Sequence, residues 1–175
     1  MIFVSIGHHP YSKGAAFEDF NEFDEAKQWA PLLCNALGSM AMQVPVGVLR
    51  EKVHFINEHA VGAGDHLALE IHFNSDPAQA GRGSETLYYP GSERGRHVAE
   101  EVQQNLSRVF GPNRGAKEGW YRMDRSKGPD YFLARTACPA IIVEPEFVHN
   151  AEKIVEGRDA GCAAIAQVLV DLYGG

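Results

Sequence analysis

Cysteine is scarce in this 175-residue chain: Cys34, Cys138 and Cys162 share no CxxC spacing, and each sits in an apolar segment. Free buried thiols are expected, and nothing points to a disulfide framework. Long apolar runs are missing as well. None approaches the ~18 residues that a membrane-crossing helix needs, so membrane insertion is not expected. The opening Met1-Ile2-Phe3-Val4-Ser5-Ile6 lacks the basic start of a secretory signal and runs straight into Gly7-His8-His9. It reads as a strand, which implies synthesis in the cytoplasm without a signal peptide and another route out for any extracellular work. Positive charge is outnumbered, with 16 Lys and Arg against 23 Asp and Glu for a formal net charge of −7. That balance argues against nucleic acid as a general partner. No repeat, low-complexity stretch or linker interrupts residues 1–175, so one domain with a full core is expected. The compact HExxH zinc motif is also absent, and a metal site would have to be assembled from separate elements.

What is present is an alternation of apolar strands and amphipathic helices. Strands are expected at 2–6, 41–48, 67–74, 84–89 and 139–144, the second at a sheet edge because Pro45 cannot donate to a ladder. Helices are expected from about Asp19 to Leu37 with a kink or break at Pro31, over 50–60, from the Ser92 cap to Phe110, over 130–136, and from the Asn150 cap to Tyr173. Residues 62–65 read as a turn, and 111–129 show no period. The pattern predicts an α/β fold, a twisted, mostly parallel sheet with helices on both faces.

Leu67-Ala68-Leu69-Glu70-Ile71-His72-Phe73-Asn74 organises the rest. Alternation sends Leu67, Leu69, Ile71 and Phe73 to one face and Ala68, Glu70, His72 and Asn74 to the other. Ser75-Asp76-Pro77 ends the strand, leaving His72 and Asn74 at the strand end where open α/β sheets bind ligands. Gly7-His8-His9 follows the first strand and Glu144-Pro145-Glu146 a late one. Two histidines and a carboxylate that leave one position open form a recognised catalytic zinc arrangement. On residues alone, His72 is as well explained by a hydrogen-bonded core histidine.

Gly7-His8-His9-Pro10, Gly14-Ala15, Glu22, Ile71-His72-Phe73-Asn74 and 139–147 (PAIIVEPEF) occur in that order. The series resembles the zinc-dependent N-acetylmuramoyl-L-alanine amidases of bacterial cell separation and phage endolysins. That family's pattern runs G-H-G-G, G-A, a glutamate, S-I-H-x-N and P-A-x-L-x-E-x-G-F. The segments 83–89 and 113–117 also look like the family's intervening stretches. The resemblance implies an amidase-like fold, Zn2+ held by His8, Glu22 and His72, and Glu144 as the catalytic general base and acid. His9 stands where the family has a glycine and is expected to be a solvent-exposed loop residue. Pro145-Glu146 replaces the family's small residue and glycine. If the strand continues, Glu144 and Glu146 share a face and either could be the base, with Glu144 favoured. Glu18 and Glu25 share a helix face with Glu22, and Glu22 could instead be a capping-box partner of Asp19.

The implied reaction is hydrolysis of the amide between N-acetylmuramic acid and L-alanine in peptidoglycan, by a monomer of the phage or prophage lysin type that reaches the wall through another protein's membrane lesion. Lys117, Arg122, Arg125 and Lys127 could form a basic rim for stem-peptide carboxylates, or a solvated face; Trp120 and Tyr121 could stack on sugars, or pack under the loop. Two rival readings remain at this stage. One is a zinc peptidase cutting stem peptides, and the other is a wall-binding module without catalysis.

Overall fold

Ile2, Phe3, Val4 and Ile6 put apolar side chains on both faces of one strand, which commits that strand to the middle of a sheet covered on both sides. The computed structural model, which describes residues 1–62 and 65–174, places it there. Six strands form the sheet: β1 (Ile2–Ile6), β4 (Ala41–Gln43), β5 (Leu67–Ile71), β6 (Ser84–Tyr88), β7 (Asn113–Glu118) and β8 (Ala140–Glu144). Their order is β4-β1-β5-β8-β6-β7. All neighbouring pairs are parallel except β6 with β8. A small antiparallel hairpin, β2 (Ala16–Phe17) and β3 (Phe20–Asn21), stands outside the sheet.

Among the described residues, five α-helices complete the fold: α1 (Glu22–Leu37), α2 (Leu49–His59), α3 (Glu93–Val109), α4 (Tyr131–Arg135) and α5 (Ala151–Tyr173). Helices α1, α3 and α5 cover one face, packing Trp29, Leu33, Val102, Leu106 and Ile165 on Val4, Leu69, Ile141 and Val143. Helices α2 and α4 cover the other with Val53, Ile56, Phe132 and Leu133 against Phe3, Ala68 and Ile142. Helices on both faces of a mostly parallel sheet agree with the expectation from sequence.

Several boundaries differ for physical reasons. Helix α1 starts at Glu22, because Asn21 and not Asp19 caps it, accepting from the Asp24 amide at 2.9 Å. Pro31 lies inside α1 and does not interrupt it. It is exposed, so the carbonyl that loses its donor faces water. The edge strand is shorter than expected, ending at Gln43 just before Val44-Pro45. Strand β7, unread in the sequence, carries Asn-Arg-Gly-Ala-Lys-Glu with no apolar alternation, as an edge strand can when its pairing to β6 supplies the ladder. Of the expected turn at 62–65, Ala63 and Gly64 lie outside the described residues. The three cysteines are free. Among the described residues, no helix is long and apolar enough to cross a membrane.

Candidate active site

Three of the sequence-derived residues meet at the C-terminal ends of β1 and β5. Gly7 extends β1 by donating to the Ile71 carbonyl at 2.9 Å, and the next residue, His8, takes a left-handed φ of 63°. That backbone is uncommon for a residue with a side chain and tends to persist where the surroundings over-determine it. It turns the imidazole back over the sheet edge. Gly14, at φ 77°, lets the loop pass directly under the cluster; a Cβ there would collide with the His8 ring and the Glu22 carboxylate.

Glu22 is the first residue of α1 and is buried. Each carboxylate oxygen accepts one backbone N–H, Oε2 from Ala15 at 2.6 Å and Oε1 from Phe73 at 2.9 Å. The same oxygens face the histidines: His8 Nε2 lies 2.8 Å from Oε2, and His72 Nδ1 lies 3.4 Å from Oε1. His72 follows the last residue of β5, and its amide still bonds the Val143 carbonyl at 3.0 Å. The His8 and His72 rings meet edge to face with centroids 4.8 Å apart.

Burial alone would lift the Glu22 carboxyl, but hydrogen bonds and charge from His72 and His8 outweigh it and hold Glu22 well below the usual carboxylate range. Burial likewise opposes the charged form of His72, yet the Glu22 and Glu70 carboxylates raise it to about 10. The cluster thus pulls strongly on positive charge. One donor atom from each of His8, Glu22 and His72 lies within 4.8 Å of the others. Two imidazoles and a carboxylate, with no fourth protein donor in the group, match the open three-ligand sites of catalytic zinc.

His9, Glu18 and Glu25 stay outside this cluster. His9 forms a bridge with Ser12. Glu18 is exposed in the turn of the β2–β3 hairpin. Glu25 pairs with Arg158 of α5 at 2.7 Å and accepts from Trp29 Nε1.

A cavity of about 320 Å³ opens beside the cluster, lined among others by His8, Glu22, His72, Asn74, Glu85, Trp120 and Glu144. Glu144 closes β8, and its register partner across the antiparallel pair is Glu85. Asn74 sits between them, its amide donating to Glu85 at 2.5 Å and to Glu144 at 2.9 Å. The pair divides its charge. Burial, then the neighbouring Glu85 charge, pushes Glu144 far above the ordinary carboxylate range. Glu85, also opposed by burial, is held low by Lys117 and Arg114. Paired carboxyls driven apart in this way can divide the roles of acid and base between them. Little in the sequence marks Glu85 as a partner of Glu144. Its only signal there was an acidic residue in the middle of a strand, on the same face as Leu87.

Glu146 does not share that face. Strand β8 ends at Glu144, since Pro145 cannot continue the ladder, and the Glu146 side chain turns away into the protein. It is fully buried. There it accepts from the Gly83 and Phe147 amides at 2.8 and 3.0 Å, from Asn150 at 3.2 Å and from Lys153 at 2.5 Å. Asn150 spends its side chain on Glu146 and the Gly81 carbonyl rather than on capping α5. Glu146→Ala should therefore unfold early. Orphaning these buried donors costs roughly 3 kcal/mol, or about 6–12 °C in a chain of this size. Thermal melts and wall hydrolysis of the folded fraction, measured together, check this. A full-strength melt with lost activity would return Glu146 to the site.

The expected basic rim is mostly neutralised within the chain. Lys117 reaches Glu85, Arg125 pairs with Glu118 at 3.2 Å, and Lys127 pairs with Asp124 at 3.1 Å. Of the four, Arg122 lines the cavity, together with Trp120, Tyr121 and Met123.

A family model described as N-acetylmuramoyl-L-alanine amidase matches residues 2–157. No curated protein matches the sequence. Among solved structures, an N-acetylmuramoyl-L-alanine amidase from Clostridium difficile 630 is 20% identical with a TM-score of 0.82, over 99% of this chain and 96% of that one. The amidase AmiC2 of Nostoc punctiforme is 20% identical with a TM-score of 0.81, over 100% and 98% of the two chains. The catalytic domain of the CD27L endolysin targeting Clostridia difficile is 26% identical with a TM-score of 0.73, over 97% and 94%. The first two similarities speak to the fold, and the family match covers most of the sequence. The chain belongs to the N-acetylmuramoyl-L-alanine amidase family, whose members are generally zinc-dependent.

Proposed function

We propose that this protein is a zinc-dependent N-acetylmuramoyl-L-alanine amidase of the lysin type, residues 1–175 forming one catalytic domain that cleaves the amide between N-acetylmuramic acid and L-alanine. The observation that carries this reading is the His8–Glu22–His72 donor group facing the same cavity as the Glu144–Glu85 carboxyl pair. In it, His8, Glu22 and His72 hold Zn2+. Zinc, when bound, supplies the Lewis acidity that amide hydrolysis needs at neutral pH.

The chain's own residues do the rest. In its ionised form the Glu144 carboxylate takes the proton from the attacking water and returns one to the departing L-alanine nitrogen. Asn74 and Glu85 hold the Glu144 carboxyl in place, and Glu85, with its counter-charges Arg114 and Lys117, keeps the pair's second negative charge. Arg122 at the cavity mouth receives a stem-peptide carboxylate. Trp120 offers a ring face to the sugar. The likeness to the CD27L endolysin supports a phage-type lysin that acts on the wall after release from the cell.

Mass spectrometry of the products from purified peptidoglycan tests the assignment. Free L-alanine amino termini on intact stems are expected, and a chelator should abolish them. Cleavage inside the stem would make the protein a peptidase. Wall binding without solubilisation would make it a binding module.

A further inference from the structure

Lys52 and Glu70 are charged residues with almost no contact with solvent, at 3% and 2% exposure, and nothing in the proposed chemistry uses them. Such residues are almost never buried unless paired, and pairing alone gives little reason to keep them, since an apolar pair of similar volume is commonly as stable. Their geometry supplies a reason. Glu70 lies on β5 in register with Ser5 on β1, two residues before His72 and on the same face. Both local donors go to a single carboxylate oxygen. Ser5 Oγ donates to Oε1 at 2.9 Å and Lys52 Nζ to Oε1 at 2.7 Å, while Lys52 also reaches the Ile6 carbonyl at 2.5 Å. Oε2 is left for one partner, His72 Nε2, at 3.0 Å. The carboxylate is thus clamped from β1 and α2, with its free oxygen aimed at the far side of the His72 ring. The near side, Nδ1, faces Glu22.

Resting on the metal centre proposed above, we infer that Glu70 is its positioning residue. Held through one oxygen by Ser5 and Lys52, it fixes the His72 ring with the proton on Nε2 and the lone pair on Nδ1. A metal-binding histidine needs its other nitrogen tied down in this way, and the partner sets both tautomer and ring angle. Ser5 and Lys52 come from two other elements, so the ring angle is referenced to the sheet and to α2 together. The clamp acts through His72 and touches no substrate.

Two measurements test it. In the unaltered chain loaded with cadmium-113 as the zinc probe, nitrogen-15 spectra should show metal coupling to Nδ1 of His72 and a proton on Nε2. The double variant Lys52→Met/Glu70→Leu removes the charge pair together and keeps the volume, so the metal-free protein should melt close to its parent. Its zinc affinity, read by competition with a chromogenic chelator, should fall by about 10–100-fold. Lys52→Met/Glu70→Gln, which keeps an acceptor oxygen for Nε2, should recover most of that loss. Metal coupling to Nε2 overturns the inference, as does an unchanged zinc affinity in the folded Leu variant. If the Leu variant fails to fold, the coupling pattern of the parent decides. A parent that binds no metal overturns the centre itself, and this inference with it, which separates the two failures.

Discussion

Glu144→Gln should slow dye release from labelled peptidoglycan by roughly 10²–10⁴-fold, the usual weight of a positioned general base and acid, while zinc content stays near that of the parent. Glutamine preserves shape and can still face Asn74, but it cannot take the proton from water. A second consequence concerns stability in the metal-free protein. Burial, then the Glu85 charge, raises the Glu144 carboxyl to about 8 from the ordinary 4.5. A carboxyl whose folded value is raised favours the fold fully below about 4.5, and that contribution drains away as pH climbs toward 8. The Gln variant has no proton to lose. Its melting temperature should match the parent's near pH 4 and exceed it near pH 8. Activity kept by Glu144→Gln would remove Glu144 from the chemistry, and a melting difference that grows toward acid pH would invert the electrostatic argument.

His72→Ala should lose its zinc, falling from roughly one ion per chain to near none after dialysis, and all wall hydrolysis with it. Only three protein donors converge in this group, so the loss of one leaves too few for a stable site. His8→Ala should behave the same way. His9→Gly should retain zinc and most activity, because His9 bonds Ser12 across the loop and contributes no atom to the group. Metal analysis of the three dialysed variants settles the matter. Unchanged zinc in His72→Ala would sink the ligand assignment, and loss in His9→Gly with retention in His8→Ala would shift the register by one residue.

The strand ends that carry this chemistry were legible because local pattern and fold agree there. Apolar alternation through 67–73 fixes the face of His72, and Gly7-His8 follows a strand whose apolar residues leave no doubt about its burial. Glu22 was less readable from residues alone. Its place depends on where α1 begins, and Asn21, not Asp19, supplies that cap. What sequence could not show are the contacts between distant elements. Lys52, between Glu51 and Val53, looks like any helical lysine until α2 packs on the sheet and buries it beside Glu70. Glu85 became a partner of Glu144 through an antiparallel pairing in an otherwise parallel order. Glu146 would share a face with Glu144 only if the strand continued, and Pro145 ends it at Glu144. Lys117 gives no sign in the sequence of its partner Glu85, which the β6–β7 pairing brings beside it, whereas Lys127 has its partner Asp124 only three residues away.

The antiparallel β6–β8 seam of the main sheet also limits where this chain tolerates a change of length. Glu85 and Leu87 face the cavity, whereas Thr86 and the Ser84 backbone bond Gln103 on α3. Shifting β6 by one residue would exchange the two sets, sending the acid to α3 and a hydroxyl toward Glu144. Two fastenings guard that alignment, the Asn74–Phe147 bridge before the loop and the Gly83–Glu146 bond after it. Residues 76–82 lie between those fastenings and are tied by the Asp76 carboxylate and the Gly81 carbonyl, so an added residue there disturbs the loop's own turns and spares the seam, whereas one added within 84–88 scrambles it.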